Sequence, residues 1–463
     1  MSIHDQEQLA ELDTLVDEYA KTRVSRRDFM RRAVALGLSV SAAGALLAAC
    51  GGSNGGSGGK VQHATSVDVL SVWGGEELAS FQAVTAAFKQ QNSGISVNVE
   101  STRDLNAVLT TRVRGNNPPD IATLPNPGQM QQLAKQGKLI ALDSFLDMSK
   151  IRTDYAKAWL DLGSYNGKLY ALFYKAANKG TVWYSPKQFQ SNNFQIPATF
   201  QDMVTLSNTI SGSGKYPWSM GVSSGAASGW PAADWVAEIY LNQSGPDMYD
   251  KWVAHSIPWT DSSIKSAHQM FAQIFHGNHY VNGAPQSILA TGFQDASYLP
   301  FDSPPQAYMY YLGDFTEGFI TGQFKNAQPG TDFNFFPFPT INASNSGVTG
   351  GADVVVMMKN TDAAQSFVKY LATAQAQEIW VKRGGFTSVN KSVDLSAYPD
   401  QVAQNSAKML TSAQNFRFGA GDIMPPQVQQ AWWKGLLTYI ASPDQLDSVL
   451  SGIESVAQQS YTS

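Results

Sequence analysis

Cysteine is almost absent from this chain: Cys50 is the only one in 463 residues. An internal disulfide is therefore excluded, and stability has to come from core packing. Charge is sparse as well, at 15% of residues, and the net charge of −5 is not broken by any basic cluster. That balance leaves no electrostatic footprint for nucleic acid. Long apolar runs are missing too. The best candidate, residues 33–49, is mostly Ala, Gly and Ser, whereas a membrane-spanning helix wants roughly 20 strongly apolar residues. The glycine-rich stretch 51–59 lacks the Lys-Ser or Lys-Thr ending of a phosphate loop and precedes any strand, so neither nucleotide binding nor any other cofactor has support.

Aromatic residues, in contrast, are plentiful, with 11 Trp, 18 Tyr and 23 Phe. Rings that a core does not need are suited to the flat apolar faces of ligands. The N-terminal region carries an address. Asp5 to Tyr19 has helical apolar spacing in an acidic background, and Ser25-Arg26-Arg27-Asp28-Phe29-Met30 is a twin-arginine region ahead of a weakly apolar run. The run ends in Leu47-Ala48-Ala49-Cys50, which resembles the lipobox of bacterial lipoproteins. That resemblance implies a leader over 1–49, lipidation of Cys50 and a tether over 50–65 that includes the flexible GGSNGGSGG stretch. The folded part would then sit on the outer face of the cytoplasmic membrane, held by its lipid alone.

The folded region opens with an alternating, strand-like run from Val67 to Trp73, broken by Gly74-Gly75. A helix is predicted from Glu76-Glu77, with Leu78, Phe81, Val84, Ala87 and Phe88 on its apolar face. Ile95 to Val99 reads as a second strand, Leu105 to Arg114 as a second helix, and Pro119-Asp120-Ile121-Ala122 leads into a third strand. Short connections between alternating strands and helices favour a parallel sheet. In such a sheet the ligand site lies beyond the carboxyl ends of the strands, which points to Trp73, Gly74, Gly75 and the loop at Asn126.

The succession of Val72-Trp73-Gly74-Gly75, Pro119-Asp120-Ile121-Ala122, Leu133 to Leu142, Gly167-Lys168-Leu169-Tyr170-Ala171-Leu172, Val182-Trp183-Tyr184-Ser185-Pro186, Asp422-Ile423-Met424-Pro425 and Ala431-Trp432-Trp433 resembles the family 1 extracellular solute-binding proteins. These feed sugars to ABC importers, and maltose-binding protein is among them. Ser185 departs from the family's usual Asn. The resemblance implies an α/β, two-lobed periplasmic-binding-protein-like fold of type II, with discontinuous lobes and hinge crossovers. It places 66–178 and 331–380 in the first lobe and 179–330 and 381–463 in the second. Its implied partners are a sugar ligand and ABC permease subunits, and its implied state is a monomer. Gly384 to Lys391, Asn415-Phe416-Arg417-Phe418 and Asp422-Ile423-Met424-Pro425 look most like binders of α-glucosides.

A pyranose offers a face of C–H bonds that stacks on a ring and a rim of hydroxyls that wants carboxylates, amides or cations in fixed positions. Aromatics beside turn residues are therefore the candidates: Trp73 at a strand end, Trp230 in Ser228-Gly229-Trp230-Pro231, and Phe315 after Gly313-Asp314. By resemblance, Trp433 falls on a stacking position of the family, and Phe315 stands where maltose-binding protein has a Trp. Trp432 adjoins Trp433, and one of the two must face away from the other. Glu77, Asn126, Asn178, Lys179 and Asp314 are the polar candidates, with surface solvation as their ordinary explanation.

Catalytic readings are weaker. Gly221-Val222-Ser223-Ser224-Gly225 fits G-x-S-x-G, yet a loop of small residues follows where a nucleophile elbow would enter its helix. His276 and His279 are spaced as a ligand pair but flank a helix end without a third ligand, so no metal site is expected. A secreted carbohydrate-active hydrolase and a surface lipoprotein outside transport stay as the alternatives, although no acid pair across a scissile bond can be named.

Overall fold

The computed structural model describes residues 61–277, 279–413 and 415–461. The leader, Cys50 and the glycine tether lie outside these residues.

The first strand, β1 (Ser66–Ser71), buries Val67, Val69 and Leu70 completely. Helix α1 (Gly75–Gln91) follows at once, with Glu76 and Glu77 at its positive end and Phe81, Val84 and Phe88 turned inward at helical spacing. Then come β2 (Ser96–Ser101), α2 (Leu105–Arg114), β3 (Ile121–Leu124), α3 (Pro127–Lys135) and β4 (Ala171–Asn178). The second sheet contributes β5 (Thr181–Tyr184), β6 (Trp218–Ser219), helix α4 (Trp230–Ser244), β7 (Met309–Tyr311), α5 (Thr316–Gln323) and β8 (Asn334–Pro337). The chain returns through β9 (Val348–Met357), α6 (Ala374–Val381), β10 (Thr387–Ser388), α7 (Gln401–Ser412) and β11 (Phe416–Phe418), and crosses again to α8 (Pro426–Ala441).

Strand order in the first sheet is β10-β4-β9-β3-β1-β2, with β11 beside the start of β9. The three opening strands are parallel, as their short α-helical connections require, and β9 runs antiparallel to both β3 and β4. The second sheet is β8-β5-β7-β6. Among the described residues one hydrophobic core forms around the first sheet, and a larger and a smaller one form against the second. The lobes are joined where β4 runs into β5 through Lys179 and Gly180, between β8 and β9, and after β11.

This packing differs from the expected lobe boundaries. Phe386, Val389, Tyr398, Leu410 and Phe418 belong to the first core, although the resemblance places 381 onward in the second lobe. The cause is strand pairing: Thr387 lies against Ala176 of β4, and Phe416 against Val348 of β9. Residues 331–338, assigned to the first lobe, pack in the second, because Phe335 pairs with Trp183 and Phe336 and Phe338 enter that core.

Candidate functional site

Between the lobes lies a cavity of about 230 Å³. Its first-lobe wall is the carboxyl end of β1 and β3, with Trp73 and Asn126; its second-lobe wall is Trp230, Asp234 and Trp433 on α4 and α8. The crossovers form the floor. Contacts between the lobes bridge the cavity, where the Ala226 amide donates to Asp104 Oδ1 at 3.1 Å, and continue outside it, where Lys325 Nζ lies 3.8 Å from Glu76.

Two buried lysines organise the charges. Lys175 Nζ is 3.0 Å from Glu77 Oε1, whose other oxygen is 3.3 Å from Arg103. Burial opposes the Lys175 ammonium, but the carboxylates of Glu77 and Asp353 outweigh it and hold its pKa above the usual lysine value. Burial also works against the Glu77 carboxylate, and there the two cations prevail and keep it below the ordinary range. Asp353 is different. Burial pushes its carboxyl up to about 6, with Lys175 and the Trp73 indole N–H only partly offsetting it. Lys179 Nζ bridges Asp234 at 2.8 Å and Asp422 at 3.0 Å. Its burial is more than compensated by those two acids, so it stays charged. Asp234 Oδ2 is buried with no hydrogen-bond partner, on a residue that lines the cavity.

The rings divide by exposure. Trp230, Phe315 and Trp433 line the cavity and are only partly buried, with Trp230 6.1 Å from Phe315. Trp73 also borders the cavity, but as a core residue 1% exposed, edge-on to Phe81 and Trp380. Trp432 is fully buried and its indole N–H points to His268 Nε2 at 3.2 Å. Of the adjacent pair, Trp433 is the one with free surface.

Among the polar candidates, Glu77, Asn126 and Lys179 border the cavity, while Gly75, Asn178 and Asp314 do not. The Asn126 side chain is already used, capping α3 through the Gln129 amide and donating to Gln429 at 2.6 Å. Asn178 accepts from the Gly180 amide at 2.9 Å and shapes the crossover. Asp314 accepts from Thr387 and Ser406 at 2.6 and 3.0 Å, tying a second-lobe loop to the first lobe. Gly75 starts α1 at a φ of +55°, facing Gln294 at the rim. Sequence reasoning missed Lys175, Asp353 and Arg103. Lys175 and Asp353 face each other across the β4–β9 register, which only the sheet creates. The G-x-S-x-G stretch is a bridge and turn segment, with Ser223 paired to Gly292 and the helix beginning only at Trp230.

A further buried acid, Glu238 of α4, accepts from the Thr349 amide at 2.8 Å and from the Thr349 hydroxyl, linking the lobes at the second crossover. Burial drives its carboxyl up to about 7 against the pull of those hydrogen bonds. Between the ordinary 4.5 and about 7 the folded chain keeps a proton that the unfolded chain has lost. Stability from this group therefore falls as pH rises through that window, by at most about 1.4 kcal/mol per pH unit. Glu238→Gln should flatten the melting temperature profile between pH 4.5 and 7; parallel profiles for both proteins would refute the assignment.

Two α/β lobes joined by crossovers around a ring-lined, roofed cleft define a two-lobed solute receptor. The family model described as bacterial extracellular solute-binding protein matches residues 74–378. The chain belongs to that family, and it is an exported binding protein. It is 33% identical over 390 residues to the osmoprotective compounds-binding protein GgtB of Synechocystis, covering 84% of this chain and 91% of that one. It is 31% identical to the alpha-glucosides-binding periplasmic protein AglE of Rhizobium meliloti, covering 84% and 86%. In fold it is similar to the bacterial solute receptor AcbH, with a TM-score of 0.75 at 19% identity over 86% of this chain and all of that one.

Proposed function

We propose that this chain is the substrate receptor of an ABC importer, which closes on a neutral sugar in the interlobe cleft and hands it to the permease. The carrying observation is the pairing of three partly exposed rings, Trp230, Phe315 and Trp433, with the fixed carboxylates of Glu77, Asp234, Asp353 and Asp422 in the same cavity wall. Rings meet the C–H face of a pyranose, and acceptors meet its hydroxyl rim. Lys175, Lys179 and Arg103 are each already matched by acids, so among the described residues the cleft wall has no unmatched cation for an anionic solute. Among neutral sugars we favour an α-glucoside, supported by the likeness to AglE.

The test is a panel of glucose, maltose, trehalose and sucrose, read by tryptophan fluorescence and melting temperature together with product analysis. Binding of at least one disaccharide without any hydrolysis is expected, and release of glucose from it would turn the reading toward a hydrolase. Trp433→Ala should weaken the bound sugar by about 1–3 kcal/mol, the scale of a lost stacking and burial contact. Unchanged affinity in the folded variant would remove Trp433 from the site.

For location, the proposal is lipid anchoring at Cys50, supported by the Leu47-Ala48-Ala49-Cys50 sequence. Cys50→Ser should abolish incorporation of labelled lipid in cells while sugar affinity stays within twofold. Labelling that persists places the anchor elsewhere.

A further inference from the structure

Helix α5 belongs to the second lobe, since its Phe319 and Ile320 pack with Trp183, Tyr310 and Leu312. Its first turn nevertheless presses against the first lobe. Gly385, at a φ of +66°, leaves no room for a side chain: a Cβ there would stand 3.3 Å from the Gly318 Cα and from the Phe315 carbonyl oxygen. Backbone meets backbone, and two acids are shut into the joint, Asp314 5% and Glu317 3% exposed. Asp314 Oδ2 accepts from Thr387 and Ser406 of the first lobe, while its Oδ1 is buried with no hydrogen-bond partner. Glu317 shares a side-chain hydrogen bond with Asp400 at the start of α7, a helix whose Ala403, Ala407 and Leu410 lie in the first-lobe core. The carboxyl pair therefore bridges the lobes.

A hydrogen bond between two carboxyl groups needs a proton on one of them. Asp400 Oδ1 is committed to the amides of Val402 and Ala403, at 2.8 and 3.1 Å, at the positive end of α7. Glu317 is the more deeply buried of the two. Burial first, then the Asp400 and Asp314 carboxylates, hold its carboxyl well above the usual range. Burial also raises the Asp314 carboxyl, against the pull of Thr387 and Lys175. The cations around the joint are engaged: Lys175 of β4 by Glu77, Lys325 just beyond α5 by Glu76, and Arg383 beyond α6 as a donor to Ser80. Tyr398, whose hydroxyl accepts from the Ser388 amide at 3.0 Å, has its phenol pushed up to about 12 by burial. Loss of the Glu317 proton therefore sets two carboxylates against each other, with Asp314 close by.

We infer that the Glu317 proton is a latch between the lobes. While it is held, Glu317 donates to Asp400 and the lobes stay shut; once it is lost, the two carboxylates repel across the joint and favour the open form. Closure is thus supported below the Glu317 titration and weakened as pH rises through it, by at most about tenfold in the open-to-closed ratio per pH unit. The receptor loosens as its surroundings turn alkaline, whichever solute the cleft takes.

The experiment is small-angle scattering of the ligand-free full chain between about pH 6 and about pH 9.5, with far-UV ellipticity recorded on the same samples. The wild type should expand as pH rises while its ellipticity stays constant. Glu317→Gln keeps a donor toward Asp400 and has no proton to lose, so its radius of gyration should stay at the compact value throughout. Should that variant fail to fold, Asp400→Asn replaces it: the amide oxygen still serves the α7 amides, one charge of the pair is gone, and the radius should again stay constant. A pH-dependent expansion confined to the wild type supports the inference. A wild type of constant radius, an expansion retained by the folded variant, or an expansion that comes with loss of ellipticity overturns it, and none of these results bears on the carbohydrate reading.

Discussion

Lys179→Met should destabilise the protein by about 3–5 kcal/mol, measured as a shift of the urea midpoint at neutral pH. The basis is burial. Lys179, Asp234 and Asp422 have side chains only 9%, 9% and 18% exposed, and one ammonium serves both acids. Methionine keeps most of the volume and removes the charge, which leaves two carboxylates facing each other with little water. Breaking a buried pair from one side costs on this scale because the remaining charge is uncompensated. The ammonium also stands 6.0 Å from the Trp230 ring, and Lys179 lies in the crossover from β4 to β5, so the damage falls at the joint between lobes. Adding Asp234→Asn and Asp422→Asn to the variant should recover part of the loss, since the repulsion disappears with the charges. A single variant within 1 kcal/mol of the wild type would mean that the acids find other partners, and the account of the cleft floor would fail.

Local order in the chain made the first half of the first lobe readable. Alternation over Val67 to Trp73 and the i, i+3, i+7 spacing of Phe81, Val84 and Phe88 each report a burial direction, and the observed α2, Leu105–Arg114, has the expected limits. The setting of two rings beside turns was also visible, because Trp230 follows Gly229, which is left-handed, and Phe315 lies two residues after Gly313 at a helix start. What could not be read was placement decided by distant pairing. β10 is two residues long and has no periodicity, yet its bond to β4 keeps 386–418 in the first lobe. Lys175 sits in a run of eight buried residues, where nothing local separates a cleft cation from a core position. Asn178 and Asp314 carried the right chemistry for a ligand, but Asn178 shapes the first crossover and Asp314 ties a second-lobe loop to the first lobe. Trp73 shows the same limit, since a strand end before two glycines fits both a platform and a core ring.

Trp73→Ala separates those two roles. The ring is 1% exposed and centres within 4.8 Å of Phe81 and 4.9 Å of Trp380, with Tyr174 at 5.8 Å. Its deletion opens a void in a close-packed aromatic cluster, and large-to-small changes of this kind cost about 3–5 kcal/mol. The indole N–H is also the donor to Asp353 Oδ2, so the change strips a buried acid of a partner while its carboxyl already sits near 6. Trp73→Phe isolates the second effect: most of the volume stays, and the lost donor alone should cost about 1–3 kcal/mol. Stability is thus the principal readout for Trp73, whereas Trp433→Ala should move affinity and leave the urea midpoint within 1 kcal/mol of the wild type. If instead Trp73→Ala unfolds at the wild-type midpoint and loses only sugar binding, the ring is a ligand platform and the packing argument for the first-lobe wall of the cleft is wrong.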